Sequence, residues 1–246
     1  TSRERVIAAI EFRSPDAIPI MHATFPGTLW QYGTALLDLF RQYPDDFGDR
    51  EFFIPEIPEI RDGDGTFEQY DDEWGCTWRR VRGWSAGEVL RSPLQTWEQL
   101  DTYRLPPPGI CKHFNEAFRP DLFAGGPLPE DRDWYALYGW FDLFERMQFL
   151  RGTANLLMDL ADDHPRLHEL ADRIVERNVA ILERYIAQGV DGVFFGDDFG
   201  TQHRPLISPR LWRQFFKPRY QRMFRPLKAA GKHIFFHSCG WTVDFW

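Results

Sequence analysis

The chain has 246 residues, of which 43% are hydrophobic and 27% charged, and its formal net charge is −8. This length and composition suffice for a substantial core. There is no apolar run of eighteen residues and no apolar leader, so we expect a globular cytoplasmic protein with no membrane partner. The acidic balance argues against a nucleic-acid partner, and the three cysteines are too few for a disulfide framework.

The first half of the chain mixes short helices and strands. Apolar residues that alternate with charged residues predict a surface helix over residues 1–11. A short apolar run bounded by residues that interrupt secondary structure predicts a first strand over residues 18–22. We expect a helix over residues 30–43 and a second strand over residues 52–57, which an internal proline weakens. Asp-Gly turns and alternating aromatic residues then indicate an antiparallel hairpin insert near residues 62–90.

The second half alternates strands and helices. Strands are expected over residues 134–140, 190–196 and 233–237. A helix is expected over residues 141–151. Another is expected over residues 165–188, because a proline begins it, a glycine follows it, and its apolar residues fall on one face. A further helix should run from Ser208 to Gly231, with two internal prolines that kink or split it.

The order strand, helix, strand predicts one parallel sheet whose carboxyl ends share an edge, and we place the active site at that edge. The five strands predicted along the chain cannot close a barrel, which takes eight in the common form. An open doubly wound sheet is compatible with the pattern alone. No glycine-rich phosphate loop follows any strand, however, so a nucleotide site has no motif on which to rest.

A metal site is indicated at the end of the last strand. His237 and Cys239 are two residues apart, so in an extended segment their side chains leave the same face and can bind one ion. Zinc accepts both imidazole nitrogen and thiolate sulfur. The alternative is a buried histidine hydrogen-bonded to backbone beside an inert cysteine. A zinc site needs a third ligand, which we expect beyond Trp246.

Carboxylates follow the preceding strand. Asp197 and Asp198 are predicted catalytic residues, because partial burial can raise the pKa of one for acid-base work or leave it anionic to bind a cation. Adjacent residues point apart, so only one of them should face the pocket. The alternative is that one Asp merely ties the following loop by accepting backbone hydrogen bonds. The predicted substrate-binding residues are His22 at the first strand end, Gln202 in the same loop and Trp140 as a stacking surface.

Several stretches together resemble the uroporphyrinogen decarboxylase (URO-D) superfamily. They are residues 3–10 and 16–19, 72–75, 149–152 and 155–159, 189–198, 208–212 and 218–220, and 237–240. The resemblance implies an α/β fold of the (β/α)8 TIM-barrel type. The chain starts without methionine and stops just after a reactive strand end, so we expect one domain over residues 1–246 that is truncated to about the first five strands.

Two chemistries compete within this superfamily. The heme-pathway decarboxylases use no metal and clamp the carboxylates of a porphyrin precursor with an arginine-containing stretch after the first strand. Residues 21–27 contain no arginine there. The methyltransferase branch carries His-x-Cys and a distant cysteine as zinc ligands, and His237 and Cys239 match the first two.

The resemblance therefore implies a zinc-dependent methyltransferase that moves a methyl group between a corrinoid and a thiol or other small acceptor. The methylcorrinoid would be a co-substrate carried by a partner corrinoid protein, and an exposed sheet edge would favour a homodimer. Two alternatives stay open: a metal-free uroporphyrinogen III decarboxylase of porphyrin biosynthesis, and a protein that binds a tetrapyrrole or a corrinoid protein without catalysis.

Overall fold

The structure is a computed structural model that describes residues 1–22, 28, 31–48, 67–81, 87–108 and 126–245. The elements of the amino-terminal half are α1 (Ser2–Ile10), α2 (Thr34–Gln42), β1 (Phe67–Asp71), β2 (Thr77–Val81), β3 (Glu88–Arg91) and α3 (Gln99–Thr102). Those of the other half are β4 (Leu137–Phe141), α4 (Phe144–Arg151), α5 (Thr153–Ala161), α6 (Pro165–Gln188), β5 (Gly192–Gly196), α7 (Pro209–Leu211), a π-helical turn (Trp212–Phe216), α8 (Lys217–Ala229), β6 (His233–His237) and a 3-10 turn (Val243–Phe245). No described helix is long and apolar enough to cross a membrane.

A parallel sheet in the order β4-β5-β6 positions the candidate site. Helices α4 to α6 connect its first two strands, and α7 and α8 connect the last two, so all three carboxyl ends lie at one edge. This arrangement confirms the predicted parallel sheet with covering helices. The helix-facing side chains of the central strand, Val193 and Phe195, are fully buried, which places the main core between the sheet and the helices.

Helix α6 covers this sheet and has the bounds that the sequence predicts. Pro165 occupies its first turn, and Gly189 ends it in the left-handed conformation with φ of 85°. Its buried residues fall on one stripe: Leu167, Leu170, Ala171, Ile174, Val175, Asn178, Ile181, Leu182 and Gln188. At about 25 cal/mol per Å² of apolar surface, such a stripe supplies most of the free energy that holds a helix to a sheet.

The predicted hairpin insert is a three-stranded antiparallel meander, β1-β2-β3. It packs against α4 through Arg146, whose guanidinium lies 4.5 Å from the ring centroid of Trp74 and 5.3 Å from that of Phe149. The same guanidinium pairs with Asp142 at 3.0 Å. The insert therefore supports the start of the helix that follows β4.

One local prediction is wrong, and another is wrong in part. No β-strand forms over residues 18–22, because the amides of Ile20 and His22 donate to the carboxylates of Asp46 and Asp45, both at 2.7 Å, instead of to a neighbouring strand. The helix after β5 is not split at Pro226, where the sequence predicts a kink or a split, since α8 continues through it to Ala229. The predicted strand over residues 52–57 lies outside the described residues.

The first proline of that helix has a different effect. Pro218 sits in the first turn of α8, directly after the π-helical turn, where a missing amide is tolerated. The α-helix is thus interrupted by a π-helical turn just before Pro218, at the place where the sequence predicts a kink or a split. The closed eight-stranded barrel and its truncation stay predictions.

Candidate functional site

The loops after β5 and β6 run side by side and carry the predicted reactive residues. Strand pairing ends at Gly196 opposite His237. Hydrogen bonds between the two loops continue beyond that point: Asp197 N to His237 O at 3.0 Å, Gly200 N to Cys239 O at 3.2 Å, and Trp241 N to Thr201 O at 2.7 Å. The two polar strand ends are therefore held together by main-chain bonds.

Two glycines allow this close approach. Gly240 has a φ of +78°, and a Cβ there would lie 2.7 Å from the carbonyl oxygen of Thr201 and closer still to the backbone of Gly200. A Cβ on Gly200 would lie 2.8 Å from the carbonyl oxygen of Cys239. Real Cβ atoms do not tolerate such distances, so both positions require glycine.

His237, Cys239 and Asp198 converge at this point. The Nε2 atom of His237 lies 3.2 Å from the sulfur of Cys239 and 3.5 Å from Oδ1 of Asp198. One ligand atom from each residue falls within 4.8 Å of the other two. The amide of Cys239 also donates to Oδ1 of Asp198 at 2.7 Å, and this carboxylate raises the pKa of the Cys239 thiol. The cluster is half-exposed, so an ion or a small molecule can reach it.

Asp197 points the opposite way, into the core, and is fully buried. Its carboxylate accepts the first amides of α4, from Leu143, Phe144 and Glu145 at 2.7, 2.9 and 2.7 Å, and the hydroxyl of Tyr220. Burial raises its pKa to about 7 against these donors. Asp197 thus fixes the start of α4 at the sheet edge, so its backbone hydrogen bonds reach the segment after β4 and not the loop that follows Asp197 itself.

Glu145 is a further carboxyl group at this edge. Its backbone is anchored by Asp197, and its half-buried side chain interacts with the charges of Asp142, Asp197 and Asp198. Burial, followed by these like charges, raises its pKa to about 8. Its charge also raises the pKa of the Cys239 thiol. The charge of Glu145 therefore acts on the residues of the site, and its carboxyl group can hold a proton near neutral pH.

This shift has a consequence for stability. Between the ordinary Glu pKa of 4.5 and about 8, folded Glu145 binds more protons than unfolded Glu145. The free energy of unfolding should therefore fall as pH rises across this window. We expect Glu145→Gln, measured by urea denaturation in chelator-treated buffer, to reduce this slope and to be more stable than the native chain at pH 8. Glu183→Gln, at an exposed position of α6, serves as the control; equal slopes in both variants would contradict the assignment.

Trp140 lies beside the cluster on the face of the sheet opposite the helices. Its ring stacks on Phe194 with centroids 5.0 Å apart and lies 6.0 Å from the ring of His237. Gly196 makes room for it, since a Cβ there would lie 2.5 Å from the indole ring. The indole thus forms a wall next to the metal-capable side chains.

The other predicted residues lie elsewhere. His22 stacks on Phe40 at 4.3 Å and contacts the carbonyl of Tyr43, so its described contacts are not with the cluster. Gln202 is exposed in the turn after β5. Cys76 is buried, and its sulfur lies 3.4 Å from the carbonyl oxygen of Phe149, so it cannot be the third ligand; Cys111 lies outside the described residues.

Sequence reasoning missed two features of the site. In the sequence, Glu145 is an ordinary acidic residue in the first turn of a helix, and only its neighbours in space distinguish it. The contact between Gly200 and Gly240 did leave a signal, because each of the two strands is followed by a glycine within four residues. A glycine after each of two neighbouring parallel strands indicates that the loops approach closely.

Comparison with known proteins gives two matches. Residues 141–246 match the family model described as uroporphyrinogen decarboxylase (URO-D). A solved structure described as a methyltransferase from Methanosarcina mazei is similar with a TM-score of 0.51 and 16% sequence identity, covering 98% of this chain and 70% of that one. At this identity the similarity shows the fold alone. No curated protein matches the chain.

Proposed function

Because residues 141–246 belong to the uroporphyrinogen decarboxylase family, we propose that the protein is a zinc-dependent methyltransferase that moves a methyl group between a corrinoid and a thiol or other small acceptor. The observation that supports this most directly is the convergence of the His237 nitrogen and the Cys239 sulfur, 3.2 Å apart, where two parallel strands end. Their half-exposed position leaves space for a substrate.

The pair fits zinc in both chemistry and spacing. Zinc binds imidazole nitrogen at about 2.0–2.1 Å and thiolate sulfur at about 2.3 Å, which puts the two donors roughly 3.6 Å apart in a tetrahedron. The observed 3.2 Å needs only a small side-chain adjustment. The raised pKa of the Cys239 thiol means that metal binding must displace its proton.

Each residue at this edge then has a role in the proposed reaction. Bound zinc would lower the pKa of an acceptor thiol, so that the thiolate forms near neutral pH. His237 and Cys239 hold the ion, and the indole of Trp140 forms a wall for the acceptor or the methyl donor. The carboxylate of Asp198, 3.5 Å from Nε2 of His237, is placed to take the proton that the thiol loses.

The partners follow from the same chemistry. A methylcorrinoid is large, so it would approach the open edge as a co-substrate carried by a corrinoid protein. We also propose a cytoplasmic location and a homodimer, as the sequence suggests. The closed eight-stranded barrel is likewise part of the proposal, with the edge described here as its catalytic face.

Metal content and methyl transfer test the proposal together. The native chain should hold about one zinc per molecule and methylate a small thiol from free methylcobalamin. His237→Ala and Cys239→Ser should lose the zinc and at least about a hundredfold in rate, since even substitutions outside the ligand shell cost 10–100-fold. His203→Ala, at an exposed histidine of the neighbouring loop, should retain both properties.

Other outcomes would assign a different function. Methyl transfer that persists without metal would contradict the zinc mechanism. Conversion of uroporphyrinogen to coproporphyrinogen would make the protein a decarboxylase, the runner-up that the family description favours. Ligand affinity without either reaction would leave a binding protein.

A further inference from the structure

We infer that Asp198 is the third protein ligand of the ion held by His237 and Cys239. This inference rests on the proposed function and extends it, because the sequence places the third ligand beyond Trp246. Asp198 is instead supplied by the loop after β5, the neighbour of β6, which ends at His237 and is followed two residues later by Cys239.

The distances support coordination by all three residues. Donors bound to one zinc through nitrogen and carboxylate oxygen, each at about 2.0–2.2 Å, lie roughly 3.4 Å apart in a tetrahedron. The observed separation of His237 Nε2 and Asp198 Oδ1 is 3.5 Å. The sulfur of Cys239 completes a triangle in which each ligand atom is within 4.8 Å of the others.

The backbone fixes Asp198 in this position. The main-chain bonds at Asp197 and Gly200 join the loop on either side of Asp198 to the loop that carries His237 and Cys239. The Asp197 side chain is buried on the opposite side, which directs Asp198 toward the cluster. A carboxylate oxygen has two lone pairs, so Oδ1 can accept the Cys239 amide while the group coordinates the ion.

Charge and coordination number are also consistent with this role. Thiolate and carboxylate supply two negative charges against the two positive charges of zinc, and the imidazole is neutral. Three protein ligands leave the fourth tetrahedral position to the substrate, as in catalytic zinc sites.

Asp198→Asn separates coordination from positioning. The asparagine oxygen can still accept the Cys239 amide, but the side chain loses the charge that a metal ligand supplies. We expect zinc affinity, measured by competition with a chromogenic chelator, to fall at least about tenfold. Asp244→Asn removes the same charge from a nearby carboxylate that is bonded to the indole of Trp241. That control variant should bind zinc as the native chain does.

The outcomes distinguish this inference from the proposed function. Native affinity in Asp198→Asn, with binding abolished in His237→Ala and Cys239→Ser, would overturn only the inference. Zinc retained in the histidine and cysteine variants would overturn the proposed function itself. X-ray absorption at the zinc edge of the native protein adds a measurement that does not depend on the folding of a variant: one sulfur scatterer per zinc is expected, and two would exclude Asp198 as the third ligand.

Discussion

Asp197→Ala is expected to lower the free energy of unfolding by about 3 to 5 kcal/mol, because it leaves several buried donors without an acceptor. The carboxylate accepts three amides at the start of α4 and the hydroxyl of Tyr220. Leu143, Phe144 and Tyr220 are buried, so water cannot replace the carboxylate there. Chemical denaturation followed by tryptophan fluorescence measures the effect.

Two further variants sharpen this measurement. Asp197→Asn keeps one acceptor oxygen but turns an amide group toward the amides of α4, so its loss should be intermediate. Asp131→Ala, at an exposed position in the turn before β4, should change stability by no more than about 0.5 kcal/mol. A loss below about 1 kcal/mol in Asp197→Ala would show that the start of α4 does not depend on this carboxylate.

Gly240→Ala is expected to weaken zinc binding at least about tenfold although it removes no donor. The added Cβ would collide with the backbone of Gly200 and with the carbonyl of Thr201. The two loops must then separate, which moves Asp198 away from His237 and Cys239. Left-handed strain and overpacking should together cost about 2 to 4 kcal/mol of stability. Chelator competition and urea denaturation measure the two effects.

Gly231→Ala is a matched control for the strain alone. Gly231 is also left-handed, with φ of +67°, but a Cβ there meets no atom within 4 Å. It should lose about 1 to 2 kcal/mol of stability and bind zinc normally. Native zinc affinity in Gly240→Ala would mean that the contact between the loops does not set the ligand spacing.

The elements that the sequence predicted well are those with strong local signals. Helix α6 has a proline in its first turn, a glycine cap and a long apolar stripe, and β6 is an apolar run between Gly231 and polar residues. The segment over residues 18–22 has the same apolar character. There, two carboxylates from the chain after α2 take the amide donors, and such long-range competition cannot be read from a short window.

The candidate site was predictable in part for the same reason. The spacing of His237 and Cys239 places both side chains on one face, and adjacency separates Asp197 from Asp198, so both relations follow from strand geometry. The distance between the two loops does not follow from it. That distance depends on which strands are neighbours, and on two glycines forty residues apart.

The contact between Gly200 and Gly240 also bears on how this protein could diversify. Main-chain atoms set the separation of the three metal-capable groups, so side chains around them can vary without altering it. The exposed turn at Gln202 and the wall at Trp140 are two such places. If the protein has the proposed function, new acceptor preferences can therefore arise at these two places, by evolution or by design, while the spacing of the three metal-capable groups stays the same.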